Sequence, residues 1–261
     1  TTDSYTLFSC PNMDAKLVHC HPSDSELGKI YAPDLSLQAS PNAVVSALRN
    51  IRLQNDVGRQ DWLQAAKAYY DASFNVKAQP GSLDLGDVLA QIQSVIPDDA
   101  IITNGAGNFA IWPNKFLKFG SKGRLLAPQS GAMGYGVPAA IAAKAHDPKR
   151  FVLCFAGDGD FQMNGNELGS AMQAGLPIVI LIINNGTYGT IRMHQERHYP
   201  KRVSGTKLVN PDFVKLANSF GFYAERVERT EDFAGAFDRA LESTTGAVLD
   251  LVVATEAITP R

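Results

Sequence analysis

Phe151-Val152-Leu153-Cys154-Phe155-Ala156-Gly157-Asp158-Gly159-Asp160-Phe161 sets a continuous apolar run directly before Gly-Asp-Gly. That is the pattern of a strand buried on both faces that reaches a turn at the carboxyl edge of a sheet. A second run, Ile178 to Ile183, ends in Asn184-Asn185-Gly186. Between the two, Met163, Leu168, Ala171, Met172 and Ala174 recur at helical spacing up to Gly175. The unit therefore reads strand, helix, strand, the crossover that a parallel sheet requires, with both polar tips at one sheet edge. Asp158 and Asn185, 27 positions apart, offer one anionic and one neutral oxygen there. Mg2+ accepts that mixture, because it takes few oxygens from protein and leaves the rest of its octahedron to phosphates and water. Gly157 and Gly159 let backbone N–H groups approach an anion, and the helix that follows adds the positive end of its dipole. The expectation is a diphosphate held jointly by metal and backbone.

Gly157-Asp158-Gly159, the stretch Phe161 to Asn185 and its terminal Asn184-Asn185 resemble the signature of thiamine diphosphate enzymes. The resemblance implies three protein ligands for Mg2+: the side chains of Asp158 and Asn185 and the backbone carbonyl of Thr187. It places Gly157, Gly159, Asp160, Tyr188 and Gly189 around the cofactor. A second segment, Gln129 to Ala140, resembles the loop and helix that bend this cofactor in the family. Met133 matches the apolar wedge between its two rings, and Gly131 matches a carbonyl that hydrogen-bonds the aminopyrimidine. Holding the rings together is a proximity effect, which lets the cofactor remove its own proton. Read without the family, Met133 is ordinary core, and the glycine order here is not the dinucleotide fingerprint, which argues against a nicotinamide site. In the turn Thr103 to Phe109, Asn108 is by resemblance a contact to the diphosphate and by its residue type a helix cap.

Composition bounds the remainder. With 261 residues, 45% hydrophobic, 19% charged and a formal net charge of −2, the chain reads as a soluble α/β protein of one to two domains. No basic run or basic and aromatic patch points to nucleic acid. The longest apolar segment is too short to span a bilayer, and Thr1 to Cys10 lacks the charged and apolar regions of a signal peptide. A cytoplasmic location is expected. Cys10, Cys20 and Cys154 have no Cys-x-x-Cys spacing and read as reduced bystanders.

From about residue 80 onward, strand patterns at 100–103, 124–127, 151–156, 178–183, 222–227 and 247–253 alternate with helical patterns at 83–95, 108–118, 134–146, 163–175, 188–198, 211–220 and 231–243. This alternation predicts a doubly wound parallel α/β sheet. Before it, Leu17 to His21 and Leu35 to Gln38 read as two strands, with helices near 41–51 and 59–76, and two strands do not easily build a core of their own. Lys16 to Ser40 resembles the second half of the family's central domain. We therefore expect residues 1–78 to be a partial α/β central domain and 79–261 the diphosphate- and Mg-binding domain.

The family also needs a glutamate on a separate pyrimidine-binding domain. Nothing in the sequence matches that domain, and Glu167, on the connection beside the metal loop, is not its equivalent. By resemblance the chain is a carboxyl-terminal fragment, inactive alone, of an acetolactate synthase large subunit-like enzyme. Such an enzyme decarboxylates a 2-oxo acid and ligates the product, with its active site at the subunit interface of a homodimer or homotetramer. FAD is compatible with the resemblance, since some members hold it beside the central domain. The alternatives are a benzoylformate-type 2-oxo acid decarboxylase and a non-catalytic cofactor-binding subunit. Past Asn185, Ile191 and His194 fall where the family faces its substrate. His194 replaces the tryptophan usual in anabolic acetohydroxyacid synthases, which argues against a strict preference for a four-carbon acceptor. His194 and His198 are spaced as a metal pair but read more simply as exposed helical residues, and Arg192, Arg197, Lys201 and Arg202 read as a solvated face.

Overall fold

The computed structural model describes residues 16–51, 57–257 and 259–260; Cys10 lies outside them. The chain divides into two units, Thr1–Ala66 and Lys67–Arg261. In the first, β1 (Val18–His21) and β2 (Leu35–Gln38) form a two-stranded parallel ladder with Val18 opposite Leu35 and His21 opposite Gln38. Asp34 fixes its open end: one carboxylate oxygen accepts the Leu17 N–H and the other the Lys16 ammonium, both at 2.9 Å. Helix α1 (Pro41–Leu48) starts where its sequence directs, with Pro41 in the first turn and Ser40 Oγ accepting the Ala43 N–H at 3.3 Å. Helix α2 spans Val57–Ala72. None of the described residues before Lys67 is buried.

The second unit contains α3 (Leu85–Val95), β3 (Ile101–Asn104), α4 (Ile111–Phe116), β4 (Arg124–Leu126), α5 (Gly136–His146), β5 (Val152–Gly157), α6 (Asp158–Asn164), α7 (Leu168–Gln173), β6 (Val179–Asn184), α8 (Gly189–His198), α9 (Phe213–Ser219), β7 (Tyr223–Val227), α10 (Thr230–Glu242) and β8 (Ala247–Val252). The six strands run β4-β3-β5-β6-β8-β7, every pairing parallel. Alternating side chains of the central strands feed two cores. Leu153, Phe155, Leu181 and Leu249 pack on one face with residues of α3, α4 and α10. Cys154, Ile180, Ile182 and Val248 pack on the other with α5, α7 and α9. Helix α10 shows the cause plainly: Phe233, Ala236, Phe237 and Ala240, spaced on one helical stripe, are all buried. This is the doubly wound parallel sheet that the alternation predicts. Burial also pushes the Cys154 thiol up to about 12, so it stays protonated, and Cys20 is a free thiol, half-buried.

The connection between β5 and β6 departs from the single helix expected over 163–175. Helix α6 begins at Asp158 itself, breaks at Asn164 with φ −140°, and passes through a 3-10 turn over Gly165–Glu167 before α7. The Phe161 ring, packed edge-on against Phe213 at 5.5 Å, lies where a Cβ at Gly165 would sit 2.8 Å away, so only glycine lets the backbone pass. Leu168 and Ala171 consequently face the core, whereas Met163 is 48% exposed. Among the described residues no helix is long and apolar enough to cross a membrane.

Candidate cofactor site

Strands β5 and β6 are sheet neighbours with Gly157 opposite Ile183, so Asp158 and Asn185 emerge side by side at the carboxyl edge. Asp158 is buried. Its Oδ1 accepts the Gly159 N–H at 3.0 Å, and its Oδ2 accepts the Gly186 N–H at 2.9 Å and the Asn210 amide at 2.7 Å. Loss of solvent raises its pKa, against the pull of Asn210 and the backbone donors. Among the described residues no Lys, Arg or His forms an ion pair with it. After β6, Asn185 Oδ1 accepts the Thr187 N–H at 3.1 Å in an Asx turn, and Gly186 takes the left-handed φ of +68° that this turn needs. The segment 206–208 fastens the turn. Tyr188 N–H donates to the Thr206 carbonyl and Leu208 N–H to the Gly186 carbonyl, both at 2.9 Å, while the Thr187 hydroxyl donates to the Thr206 carbonyl at 2.8 Å. None of these bonds uses the Thr187 carbonyl.

Asp160 gathers the three turns. Its Oδ1 accepts the Ala106 N–H at 3.0 Å and the Gly134 N–H at 2.8 Å, tying the loops that carry Asn108 and Met133 to the start of α6. Desolvation pushes its carboxyl up to about 6. The closeness of this clasp explains Gly105, where an added Cβ would fall 2.0 Å from Asp160 Oδ1. Gly157 and Gly159 likewise admit neighbours: a Cβ on them would meet the Phe109 ring at 2.8 Å and the Tyr188 ring at 2.5 Å.

One cleft at this edge is lined by eleven of the thirteen sequence-derived positions: Asn108, Met133, Gly157, Asp158, Gly159, Asp160, Asn185, Thr187, Tyr188, Gly189 and Ile191. Gly131 and His194 are outside that lining. Gly131 is exposed at φ +67° in the preceding loop, its N–H donating to Pro128 at 3.2 Å. His194 is exposed on α8, its ring 6.4 Å from that of His198, and among the described residues no group of three or more His, Cys, Asp or Glu is placed to hold a metal. Asn108 is not a helix cap. Its N–H donates to Thr190 Oγ1 and its Oδ1 accepts the Thr190 hydroxyl, both at 3.0 Å. Glu167 accepts the Ser170 hydroxyl at 2.5 Å and is not part of the cleft lining. Sequence reading missed Thr190, Phe109, Trp112 and Asn210. The run Asn210-Pro211-Asp212 signals only a helix start, where Asp212 Oδ1 does cap the Lys215 N–H at 3.1 Å.

The donor set offered at the tips, a carboxylate, an amide oxygen and a carbonyl, is all oxygen and suits a hard divalent cation. A buried carboxylate with no cationic partner is costly unless a charge from outside the chain offsets it. Leu85, Phe109, Trp112 and Ile183 make the adjoining wall apolar, which suits an aromatic ligand body. The residues therefore fit a metal-bound diphosphate carrying a ring system.

Comparison with known proteins agrees. Residues 105–251 match the thiamine pyrophosphate enzyme, C-terminal TPP binding domain. The chain is 34% identical over 259 residues to the acetolactate synthase large subunit of Corynebacterium glutamicum, covering 94% of this chain and 41% of that protein. It is 31% identical over 244 residues to the acetolactate synthase large subunit of Parasynechococcus marenigrum, covering 92% and 39%. It is 33% identical over 250 residues to the mitochondrial acetolactate synthase of Schizosaccharomyces pombe, covering 91% and 37%. The chain thus spans about two-fifths of the length of these curated relatives. On the match of more than half its residues, joined to the oxygen-lined tip of a doubly wound sheet, the chain belongs to the thiamine pyrophosphate enzyme family and carries its C-terminal TPP-binding domain.

Proposed function

We propose that the cleft at the tips of β5 and β6 holds thiamine diphosphate with Mg2+. The assembled protein would use them to decarboxylate a 2-oxo acid and join the remaining acyl carbons to a second carbonyl, as an acetolactate synthase does. The observation that carries this reading is the buried Asp158 carboxylate, without a cationic partner among the described residues, beside the Asn185–Thr187 turn. In it, Asp158 and Asn185 hold the metal through side-chain oxygens and Thr187 through its carbonyl. Gly157, Gly159, Tyr188 and Gly189 wall the diphosphate end, with Asn108 approaching from the neighbouring turn. Asp160 keeps the loops of Asn108 and Met133 in register. By resemblance Met133 would wedge between the rings and the Gly131 carbonyl would meet the pyrimidine, and Ile191 and His194 would face the substrate, Gly131 and His194 from outside the cleft lining. Bound there, thiamine diphosphate supplies the electron sink for the carbon that loses carbon dioxide. Leu85, Phe109 and Trp112 exclude water from that end of the cleft.

The same proposal includes a homodimer or homotetramer in which a pyrimidine-binding domain completes the site at the subunit interface. It also includes a cytoplasmic location, room for FAD, and division of the chain into a partial central domain, 1–78, and a catalytic domain, 79–261. Calorimetric titration of the full-length protein tests it. Thiamine diphosphate is expected to bind only with Mg2+ present, and Asp158→Ala is expected to abolish binding; metal-independent binding overturns the assignment. Pyruvate should then give carbon dioxide and acetolactate. Acetaldehyde instead would favour a simple decarboxylase, and cofactor binding without turnover of any 2-oxo acid would favour a non-catalytic subunit.

A further inference from the structure

A chain of side chains ties the tip of β5 across the sheet. Arg226 Nε on β7 donates to Asp250 Oδ2 at 2.8 Å, and Asn184 Nδ2 at the end of β6 donates to Asp250 Oδ1 at 2.9 Å. Asn210 Nδ2 donates both to Asn184 Oδ1 at 2.9 Å and to Asp158 Oδ2 at 2.7 Å. Gln162 Nε2 donates to Asn210 Oδ1 at 2.9 Å. Asp250 is fully buried.

Each link dictates the next. A carboxylate paired with a guanidinium offers only acceptors, so Asn184 must turn its NH2 toward Asp250 and leave its oxygen for Asn210. Asn210 must then point its own NH2 into the gap between Asn184 and Asp158, and Gln162 satisfies the oxygen left behind. The ion pair thereby sets the direction of every amide up to Asp158. Among the described residues its Oδ2, which also takes the Gly186 N–H at 2.9 Å, receives two donors from other residues, whereas Oδ1 receives one, the Gly159 N–H at 3.0 Å, and is the oxygen left more open to a cation.

We propose that Asn210, oriented by Asn184 and the Arg226–Asp250 pair, is a positioning residue that makes Asp158 a one-oxygen ligand for its divalent cation. This rests on the reading of Asp158 as a cation ligand. One-oxygen ligation matters because Mg2+ demands near-octahedral geometry, whereas the larger Ca2+ readily takes a carboxylate through both oxygens. Freeing Oδ2 therefore weakens Mg2+ binding and favours Ca2+, a change of selectivity that loss of stability alone does not produce.

The test is competition of Mg2+ and Ca2+ against Mn2+, followed by the free Mn2+ electron paramagnetic resonance signal, in the full-length protein with thiamine diphosphate present. Asn210→Ala is expected to weaken Mg2+ binding about tenfold or more, as is usual for partners that orient a metal ligand, and to raise the Ca2+ to Mg2+ affinity ratio. Asp250→Asn, remote from the cation but near-isosteric, should shift the ratio the same way, and adding it to Asn210→Ala should bring little further loss, because both act through one chain. Gln162→Ala, a change at an exposed residue that should not disturb folding, should give a smaller shift of the same sign. Equal loss of both cations together with a lowered melting temperature, or an unchanged ratio in all three variants, overturns the positioning role while leaving the cation site intact. Unchanged Mn2+ binding in Asp158→Ala would instead remove the ligand reading beneath it.

Discussion

The two units of this chain carry apolar side chains to opposite fates. In the amino-terminal unit Val18 and Leu35 face one another across a ladder yet are 53% and 50% exposed, and Trp62 and Leu63 are 71% and 55% exposed. In the sheet unit, Leu153, Phe155, Ile180 and Leu249 are fully buried. The residue types are alike; the number of layers is not. A parallel pair of strands has two faces and two edges to cover, and a short helix cannot cover them. By contrast β5 and β6 have a strand on either side and helices on both faces. Apolar composition thus states how much surface is available for burial, and topology states how much is buried. The largest effect that tests this contrast is a pair of truncations, each read by urea denaturation of the whole chain. Phe155→Ala should cost about 3–5 kcal/mol, the transfer and cavity terms of a large buried ring. Leu63→Ala should change stability by no more than about 0.5 kcal/mol. Similar costs would break the comparison.

The same contrast marks what the sequence could reveal. β5 and β6 were legible because a strand buried on both faces is a continuous apolar run, and such a run has one environment in which it is stable. Their order in the sheet was not: β8, the last strand in the chain, inserts between β6 and β7, and nothing in Ala247 to Val252 encodes its neighbours. Asp158 and Asn185 were legible because they end strands, where register places them at one edge. Asn210 was not, since it reaches Asp158 across 52 positions from a loop whose residue types announce only a helix start. Asp160 shows a different limit. Its residue type suggests a contact to the ligand proposed for this turn; it also accepts N–H groups from two other turns, a commitment that only tertiary structure creates. In the amino-terminal unit local signals sufficed for β1 and β2, because little there depends on distant residues.

Glycines sharpen the comparison at the next scale. Gly28 sits in the amino-terminal unit at φ +71°, where a Cβ would find its nearest heavy atom 3.5 Å away on Pro33. Gly105 has no such backbone constraint, but its Cβ would fall 2.0 Å from Asp160 Oδ1. Gly105→Ala should therefore displace the carboxylate from the Ala106 and Gly134 amides and cost about 3 kcal/mol, two charge-assisted bonds at roughly 1.5 kcal/mol each. Gly28→Ala should cost only the left-handed backbone term of about 1–2 kcal/mol. Thermal melts of the two variants check the ordering. A Gly105→Ala cost no larger than that of Gly28→Ala would mean that the Asp160 clasp relaxes without loss, and that the three turns are not rigidly joined.

The smallest effect is expected where the two units are most alike, at their exposed ion pairs. Glu225 on β7 receives Arg239 of α10 through two nitrogens, at 2.7 and 3.0 Å, and the guanidinium holds its carboxyl below the ordinary glutamate value of 4.5. Asp34 is held down in the same direction, by the Leu17 N–H and Lys16. A carboxylate whose folded value is depressed contributes stability in full above its unfolded value and loses it as pH falls through the folded value. The stability gap between the parent and Glu225→Gln should accordingly be open at pH 7, narrow below pH 4.5, and shrink in 1 M salt. Because the pair is solvent-exposed, the gap should stay under about 1 kcal/mol. A gap that survives acid and salt would assign it to packing of the Glu225 stem under Arg239 and Tyr223, and would set the rim of the sheet unit apart from the surface of the amino-terminal one. A gap that closes makes the two surfaces equivalent, and leaves the buried layers as the physical difference between the units.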